Sequence, residues 1–211
     1  GTTYVIEGLR RIAPDLPFPI RIHELKGDEQ FTLPGDLQAS CTAAAHGIPC
    51  LAYRVDLARR PAFQVEKANA LGLPIQLWSY LQRGEDVTYN GQTIRPEQVL
   101  GEPRRGISMA FITDTRPTAA LSALAHDVDL LICESMYDNL EDLPLAKANA
   151  HMLAQESAGI AKAASAHQLL LTHFSPKIND PSIAEKMARR IFPNTRAAHD
   201  GTVITLEYPT G

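Results

Sequence analysis

Three side chains of types that bind metal ions, His46, Asp114 and His173, each follow directly after a run of mostly apolar residues. Two ring nitrogens and a carboxylate suit zinc, manganese or iron, and they do not suit the all-oxygen cage that calcium requires. The three residues are far apart in the sequence, so their spacing alone leaves open whether they meet. The pattern makes them the candidate metal ligands of this chain.

The element that must position each candidate is a buried strand, because apolar runs bounded by turn residues are typical of strands. A site built on strand ends is held more precisely than one built on loops. A single run of this kind is more readily explained by a strand that simply reaches water, whereas four such runs favour a common site. The runs are 37–45 before His46, 107–113 before Asp114, 128–132 before Cys133 and Glu134, and 168–172 before His173.

The remaining pattern predicts alternating strands and helices after residue 106 and a strand-rich part before it, which together indicate an α/β layered fold. Three local patterns mark the helices: an amphipathic run that ends at prolines, a proline at the start of a helix, and an Asp-Pro pair that caps a helix. The predicted helices cover 2–13, 117–125, 152–166 and the residues from Asp180 onward, and the further predicted strands cover 20–25, 50–55 and 201–208.

An insertion, which we delimit at residues 57–104, separates two of the predicted core strands. It contains two short helical pieces and then Asn90-Gly91 between two alternating runs, which is a strong hairpin signal. Trp78, with Leu77 and Leu81 at helical spacing, favours a small core inside this segment over a platform for stacking bases. We therefore expect one domain over residues 1–211 with the insertion inside it.

Basic residues are concentrated in and around the insertion. From Arg54 to Arg105 the sequence has eight Lys/Arg against six Asp/Glu, whereas the whole chain carries a net charge of -4. A phosphate-binding surface needs only a local basic patch, although a solvated face with mixed charge fits the same count. The candidates for phosphate contacts are Arg59, Arg60, Arg104 and Arg105.

Composition indicates a globular protein of a reducing compartment. The chain is 45% hydrophobic and 21% charged, and its three cysteines are an odd number in apolar surroundings,. No apolar run approaches the roughly 20 residues that a membrane-spanning helix needs, and the first residues lack the pattern of a signal peptide. We expect a cytoplasmic protein without a membrane partner.

An ordered set of short motifs runs through nearly the whole chain. In chain order they are His46-Gly47-Ile48-Pro49, Tyr53-Arg54, Leu71-Gly72-Leu73-Pro74, Asp114-Thr115-Arg116, Cys133-Glu134, His151, Leu171-Thr172-His173-Phe174-Ser175-Pro176 and Phe192-Pro193-Asn194. The ordered set is far more specific than any of its members. It resembles the ribonuclease Z family of the metallo-β-lactamase superfamily.

The resemblance implies an αββα sandwich with two zinc ions between its sheets, although manganese or iron would also fit. Such a site activates water and clamps the attacking and leaving oxygens, here to cleave precursor transfer RNA on its 3′ side. By the matching positions, His46 and His173 would be terminal metal ligands and Asp114 the bridging carboxylate. His151, supported by Glu134, would be the proton donor or transition-state stabiliser. The insertion matches the family's projecting arm, which grips transfer RNA, and its positive charge fits that role.

The chain also departs from the family pattern. The first metal motif, His-x-His-x-Asp-His, is absent, so we expect the C-terminal two-thirds of a longer protein, inactive alone, with a sandwich incomplete at the N-terminus. We further expect a homodimer or association with the missing segment. Cys133 stands where the family has a histidine, and we interpret its thiol as a buried core side chain and not as a soft metal ligand. In the arm, Pro74-Ile75-Gln76-Leu77 stands where the family has a Gly-Pro cluster. This departure leaves two alternatives open: hydrolysis of a small phosphodiester or ester, and a truncated non-catalytic homologue.

Overall fold

The computed structural model describes residues 1–35 and 37–209, and its main feature is a seven-stranded sheet in the order β1-β2-β3-β6-β7-β8-β9. Strands β4 and β5 form a separate hairpin. The strands are β1 (Gln30–Leu33), β2 (Leu37–Ala43), β3 (Leu51–Arg59), β4 (Val87–Tyr89), β5 (Gln92–Ile94), β6 (Arg104–Ile112), β7 (Leu130–Glu134), β8 (Leu169–Thr172) and β9 (Thr195–Ala197).

Seven α-helices are formed by the described residues, and none of them is long and apolar enough to span a bilayer. Two short 3₁₀ turns, Pro96–Gln98 and Leu140–Asp142, accompany them. The α-helices are α1 (Thr2–Arg10), α2 (Val65–Ala70), α3 (Ile75–Gln82), α4 (Ala119–Leu124), α5 (Leu143–Ala148), α6 (Ala154–Ala163) and α7 (Pro181–Arg189).

The sheet has an antiparallel half and a parallel half that share β6. Strands β1, β2, β3 and β6 pair antiparallel, whereas β6, β7, β8 and β9 pair parallel. Two successive antiparallel pairings make β2 run in the same direction as β6, so the carboxyl ends of β2, β6, β7 and β8 share one end of the sheet, called here the site end. The opposite end, called the far end, holds the start of β6.

The register of β6 is fixed at the far end by Gly106. The pairing of β3 with β6 shifts between Leu57 and Arg59, and a Cβ on Gly106 would lie 2.2 Å from the carbonyl oxygen of Leu57. Only glycine allows this approach of two backbones. The strand then runs without interruption to Ile112, two residues before Asp114.

Helices cover one face of the sheet. Ile112, Leu131 and Leu171 on the strands are fully buried against Leu121 of α4 and the alanines of α6 and α7, whose small side chains let helix and sheet approach closely,. Phe111 points to the other face and is 41% exposed. The predicted αββα sandwich is thus represented in the described ranges by one large sheet with helices on one face.

Two predicted strands are wrong. Residues 20–25 and 201–208 alternate apolar and polar residues as strands do, but in the structure both lie outside the sheets. Val203 is 84% exposed. A strand needs an edge to pair with, and sequence alternation alone does not show whether that edge exists.

Helix boundaries also differ from the prediction in places. Helix α4 begins after Thr118, whose hydroxyl accepts a hydrogen bond from the N–H of Leu121, so Pro117 precedes the cap instead of occupying the first turn. Asp180 caps α7 as predicted, yet Ile183 is exposed and Ala184 and Ala188 form the buried face. Helix α5 was not predicted as a separate element.

The insertion has its own small core, as the sequence indicated. Leu81 and Val99 are fully buried there, and Trp78 donates its indole N–H to the carbonyl of Leu73 while its ring contacts Phe63. Strand β3 extends to Arg59 and β6 begins at Arg104, so the strands run slightly past the limits of 57–104. The prediction that Trp78 belongs to a small core is therefore confirmed. That the insertion acts as an RNA-binding arm stays a prediction.

Candidate metal centre

Four of the predicted site residues meet at the site end of the sheet. His46, Asp114 and His151 each offer one ligand atom, and these atoms lie within 4.8 Å of one another. Nε2 of His173 lies 3.6 Å from Oδ1 of Asp114. The ring of His151 is central, with centroid distances of 5.2 Å to His46 and 5.4 Å to His173. The family resemblance implied that His151 acts beside the metals as a proton donor or transition-state stabiliser, and the structure places it within ligand distance as well.

His46 is oriented through its Nδ1 atom, which lies 3.2 Å from the carbonyl oxygen of Ala150. A histidine that donates one ring N–H to a carbonyl keeps its second nitrogen free, and metal-binding histidines commonly show this arrangement. The preceding residue is held as well, because the N–H of Ala45 donates to Oγ1 of Thr115 at 2.8 Å. The end of β2 is thereby fixed against the end of β6.

Helix α5 delivers His151. The N–H of His151 donates to the carbonyl of Ala146 at 2.9 Å across Ala150, which has a φ of 56°. This is the helix-ending arrangement in which one left-handed residue closes the last turn. No clear sequence pattern predicts this helix end, because an alanine stands where glycine usually marks it,.

Glu134 lies behind His151 and is fully buried. Its Oε2 lies 2.9 Å from Nδ1 of His151, and its two oxygens accept the N–H groups of Thr115 at 2.7 Å and Met152 at 3.2 Å. Burial raises the pKa of Glu134 to about 7, and the two backbone donors oppose this shift,. The contact between Glu134 and His151 is the one that the sequence predicted.

The electrostatics of the cluster favour a neutral imidazole. Burial lowers the pKa of His151, Asp114 raises it to a lesser extent, and His46 lowers it further. Neutral histidine is the form that binds metal ions, because a ring nitrogen must be free of its proton.

Three residues in or next to the cluster have left-handed backbones. Asp114, Ala150 and His173 have φ values of 54°, 56° and 53°. This region costs an L-residue roughly 1–2 kcal/mol, and such residues are concentrated at functional sites. The backbone is strained at the positions that orient the candidate ligands, and this strain supports the interpretation of the cluster as a functional site.

The donor set fits a divalent metal ion. Imidazole nitrogens and a carboxylate oxygen are ligands that zinc, manganese and iron accept, and His46 and His151 have their Nδ1 atoms beside oxygen groups that fix ring orientation,. The cluster is therefore a candidate metal centre on chemistry and geometry together. The metal's identity does not follow from the donors.

The predicted phosphate-binding arginines lie elsewhere. Arg104 is ten residues before Asp114 along an extended strand, which corresponds to about 30 Å at ~3.3 Å per residue,. The guanidinium of Arg104 donates to the carbonyl of Arg60, and Arg105 pairs with Asp129. Arg59 donates to the carbonyl of Pro209 and lies over the ring of Tyr208. The structure does not bring Arg59, Arg104 and Arg105 to the metal centre, and RNA binding by the four arginines remains a prediction.

Cys133 belongs to the core. It is fully buried among the side chains between the sheet and the helices, and burial raises the pKa of its thiol to about 12. A metal ligand must be a thiolate, which this environment opposes.

No family model matches the chain. Comparison with curated proteins finds ribonuclease Z of Clostridium acetobutylicum at 37% identity over 215 residues, covering 99% of this chain and 69% of the relative. Ribonuclease Z of Clostridium tetani is 36% identical over 218 residues, covering 99% and 70%. The chain thus spans about 70% of the length of these relatives.

Solved structures agree on the fold. The metallo-β-lactamase fold protein YhfI of Bacillus subtilis superposes with a TM-score of 0.56 at 18% identity, over 85% of this chain and 54% of that one. The short form of human tRNase Z gives a TM-score of 0.50 at 17% identity, over 85% and 48%. The sheet and its histidine-carboxylate cluster place the chain in the class of metallo-β-lactamase fold proteins, with a candidate metal site at the site end.

Within this class, the chain belongs to the ribonuclease Z family, a family of hydrolytic endoribonucleases. The resemblance found in its motifs is confirmed.

Proposed function

We propose that this chain carries part of the active site of a zinc-dependent endoribonuclease that cleaves precursor transfer RNA at its 3′ side. The observation that carries the proposal is the meeting of His46, Asp114, His151 and His173 at the site end, in a chain of the ribonuclease Z family. His46, Asp114 and His173 would hold metal, which supplies Lewis-acid activation of water and of the phosphate oxygens.

The chain's own residues prepare a proton transfer. His151 has Nδ1 beside the buried carboxyl of Glu134, so Nε2 is the atom that faces the cluster. With the Glu134 carboxyl protonated, which its pKa of about 7 allows near neutral pH, its O–H donates to Nδ1 and the neutral ring carries its one proton at Nε2. That proton can pass to the 3′ oxygen that leaves when the phosphodiester is cut. Glu134 fixes the ring against the strand ends, and the backbone donors of Thr115 and Met152 fix Glu134 in turn.

A direct comparison of substrates tests the proposal. The full-length protein, supplied with zinc, is assayed on precursor transfer RNA and on a chromogenic phosphodiester, and the same reactions are repeated after chelation. We expect cleavage of the RNA at its 3′ side that is lost with the metal. Turnover of the small phosphodiester without RNA cleavage would instead favour the small-substrate alternative, and metal binding without turnover of either would favour a non-catalytic homologue.

The altered motif in the insertion keeps the small-substrate alternative open. Pro74 is the N-cap of helix α3, so the residues that replace the family's Gly-Pro cluster form the first turn of a helix there. Ile75 in this turn is 66% exposed, so the altered motif is part of the surface that the arm would offer to RNA. Exchanging residues 74–77 for a Gly-Pro sequence should raise RNA turnover and leave the small phosphodiester unaffected if the arm contacts the RNA.

Association is also part of the proposal. Tyr4 is 84% and Ile12 is 82% exposed, and α1 buries none of its side chains. Exposed apolar surface favours self-association or contact with a further segment of the protein in the cytoplasm. Sedimentation over a range of concentrations should show a dimer of 46 kDa, about twice the 23.1 kDa of the chain,. A monomer at every concentration would contradict self-association.

A further inference from the structure

Arg116 makes hydrogen bonds to two of the segments that carry the metal centre. It stands two residues after Asp114, and its backbone N–H donates to the carbonyl of Ala45 at 2.9 Å. Its side chain reaches the other way, where Nη1 donates to the carbonyl oxygen of His151. One residue therefore connects the end of β2, the end of β6 and the loop of the central histidine.

The guanidinium is itself held in a fork. Its two terminal nitrogens bond the two carboxylate oxygens of Glu156, with Nη1 to Oε2 at 2.8 Å. Only 20% of the Arg116 side chain and 21% of the Glu156 side chain are exposed. A two-point Arg–carboxylate contact of this kind fixes the plane of the guanidinium, which lysine cannot reproduce.

Glu156 completes the connection. Its Oε2 also accepts the N–H of Leu153 at 3.0 Å, at the start of α6 and two residues after His151. The loop from α5 to α6 is thus tied to Arg116 once at the carbonyl of His151 and once through Glu156. Burial in this half-enclosed position makes each lost partner more costly than on the surface.

We infer that Arg116 is a positioning residue, which with Glu156 sets the backbone of His151 relative to Asp114 and His46. Glu134 orients the His151 ring from one side, whereas Arg116 sets where the residue itself stands. The inference rests on the proposed function for its effect on turnover, and its effect on His151 is observable without turnover.

Variants of Arg116 and a matched control test this role. Arg116→Met removes the fork, and Arg116→Lys keeps the charge but not the planar two-point contact. Arg54→Met is the control, because Arg54 also pairs with a carboxylate, Asp56, and donates to two backbone carbonyls, those of Leu124 and His126, with 23% of its side chain exposed. Arg116→Met and Arg54→Met lose comparable packing and hydrogen bonds.

We expect kcat on RNA to fall about 10- to 100-fold in Arg116→Met, as changes beside metal-site residues commonly do, with KM within about twofold. Arg116→Lys should fall between this variant and the wild type. Arg54→Met should keep kcat at an equal fraction of folded protein. Imidazole ¹⁵N NMR of the metal-free protein should show a changed His151 signal in Arg116→Met and the wild-type signal in Arg54→Met.

Two results would overturn the inference: an unchanged His151 signal in Arg116→Met, or an equal change in both Arg116→Met and Arg54→Met. If the wild type has no nuclease activity, the proposed function fails on its own, and the NMR comparison still decides the role of Arg116. If Arg116→Met does not fold, the Arg116→Lys and Glu156→Gln variants are measured in the same way.

Discussion

The two ends of the large sheet both carry clusters of charged side chains, and they hold them in opposite ways. At the far end, Arg105 pairs with Asp127 and Asp129, and the Asp127 side chain is 54% exposed. At the site end, Glu134 is fully buried beside His151. Charged side chains that pair at the exposed surface change stability little. A buried acid without a cationic partner lowers stability, and its presence therefore indicates a function.

The comparison separates charge density from function. The far end has more arginines and would be chosen by a count of basic residues, yet its guanidinium groups already bond the protein's own carboxylates and carbonyls. The site end has few charges, and its groups are aimed by a strained backbone and by carbonyl and carboxyl partners. Three pairs of variants can break or sharpen this contrast.

The largest expected effect comes from Asp114→Asn set against Asp127→Asn. Both aspartates have a φ of 54°, and asparagine tolerates this conformation, so the backbone cost is matched,. Asp114→Asn should lower kcat/KM by about 1,000-fold, or ~4 kcal/mol, because the carboxylate between the histidines is lost. Asp127→Asn should change activity less than about twofold and stability by under ~1 kcal/mol. Equal losses, measured as turnover and zinc affinity, would remove the distinction between the two ends.

A second effect concerns pH. Burial raises the pKa of Glu134 to about 7 from 4.5, so the folded protein holds a proton that the unfolded chain has released in this range. The contribution of Glu134 to stability is therefore greatest below pH 4.5 and decreases as pH rises to about 7. At ~1.4 kcal/mol per pKa unit the loss is about 3 kcal/mol.

Urea unfolding of the metal-free protein at several pH values measures this loss. Between pH 4.5 and 7, the free energy of unfolding of the wild type should fall with pH, and Glu134→Gln should remove the part of this fall that Glu134 causes. The substitution can also change stability by a constant amount at every pH, which does not affect the comparison of slopes. Asp129→Asn at the far end should keep the slope. Parallel curves for wild type and Glu134→Gln would show that the carboxyl is charged throughout, stabilised by the N–H groups of Thr115 and Met152.

The smallest effect uses two helix ends of the same kind. Ala150 follows α5 and Ser165 follows α6, with φ values of 56° and 54°, and in each the next N–H bonds back to the helix. Glycine should relieve the left-handed backbone and stabilise the protein by about 0.5–1 kcal/mol at either position. Only Ala150→Gly should also lower zinc affinity, because glycine makes the backbone more flexible at the carbonyl that orients His46,. A loss of affinity in Ser165→Gly of the same size would contradict this.

The sequence predicted the parts of the fold that repeat a local pattern. The strands before His46, Asp114 and His173 were found because each is a mostly apolar run, and the Asn90-Gly91 hairpin was found because its turn chemistry is specific. The strands at 20–25 and 201–208 were predicted wrongly, because alternation says nothing about whether a pairing edge is present. Helix α5 is too short for a clear period.

For the candidate site, the sequence predicted which residue types take part and in what order they occur, but it did not predict the distances between their side chains. Nothing in the sequence shows that His151 stands within ligand range, since that depends on the turn at Ala150. The position of the arginines at the far end likewise depends on the direction of the strands that carry them. That direction is known only from the antiparallel pairing of β3 with β6.

The insertion begins and ends at nearly the same point in space. The N–H of Gly101 donates to the carbonyl of Ala62, and the N–H of Gln64 donates to the carbonyl of Val99, both at 2.8 Å. A segment closed at its own base replaces an ordinary hairpin turn without moving the strands that it joins. A change of length or sequence inside such a segment therefore need not displace the strands, and the site end keeps its geometry whatever the insertion contains,.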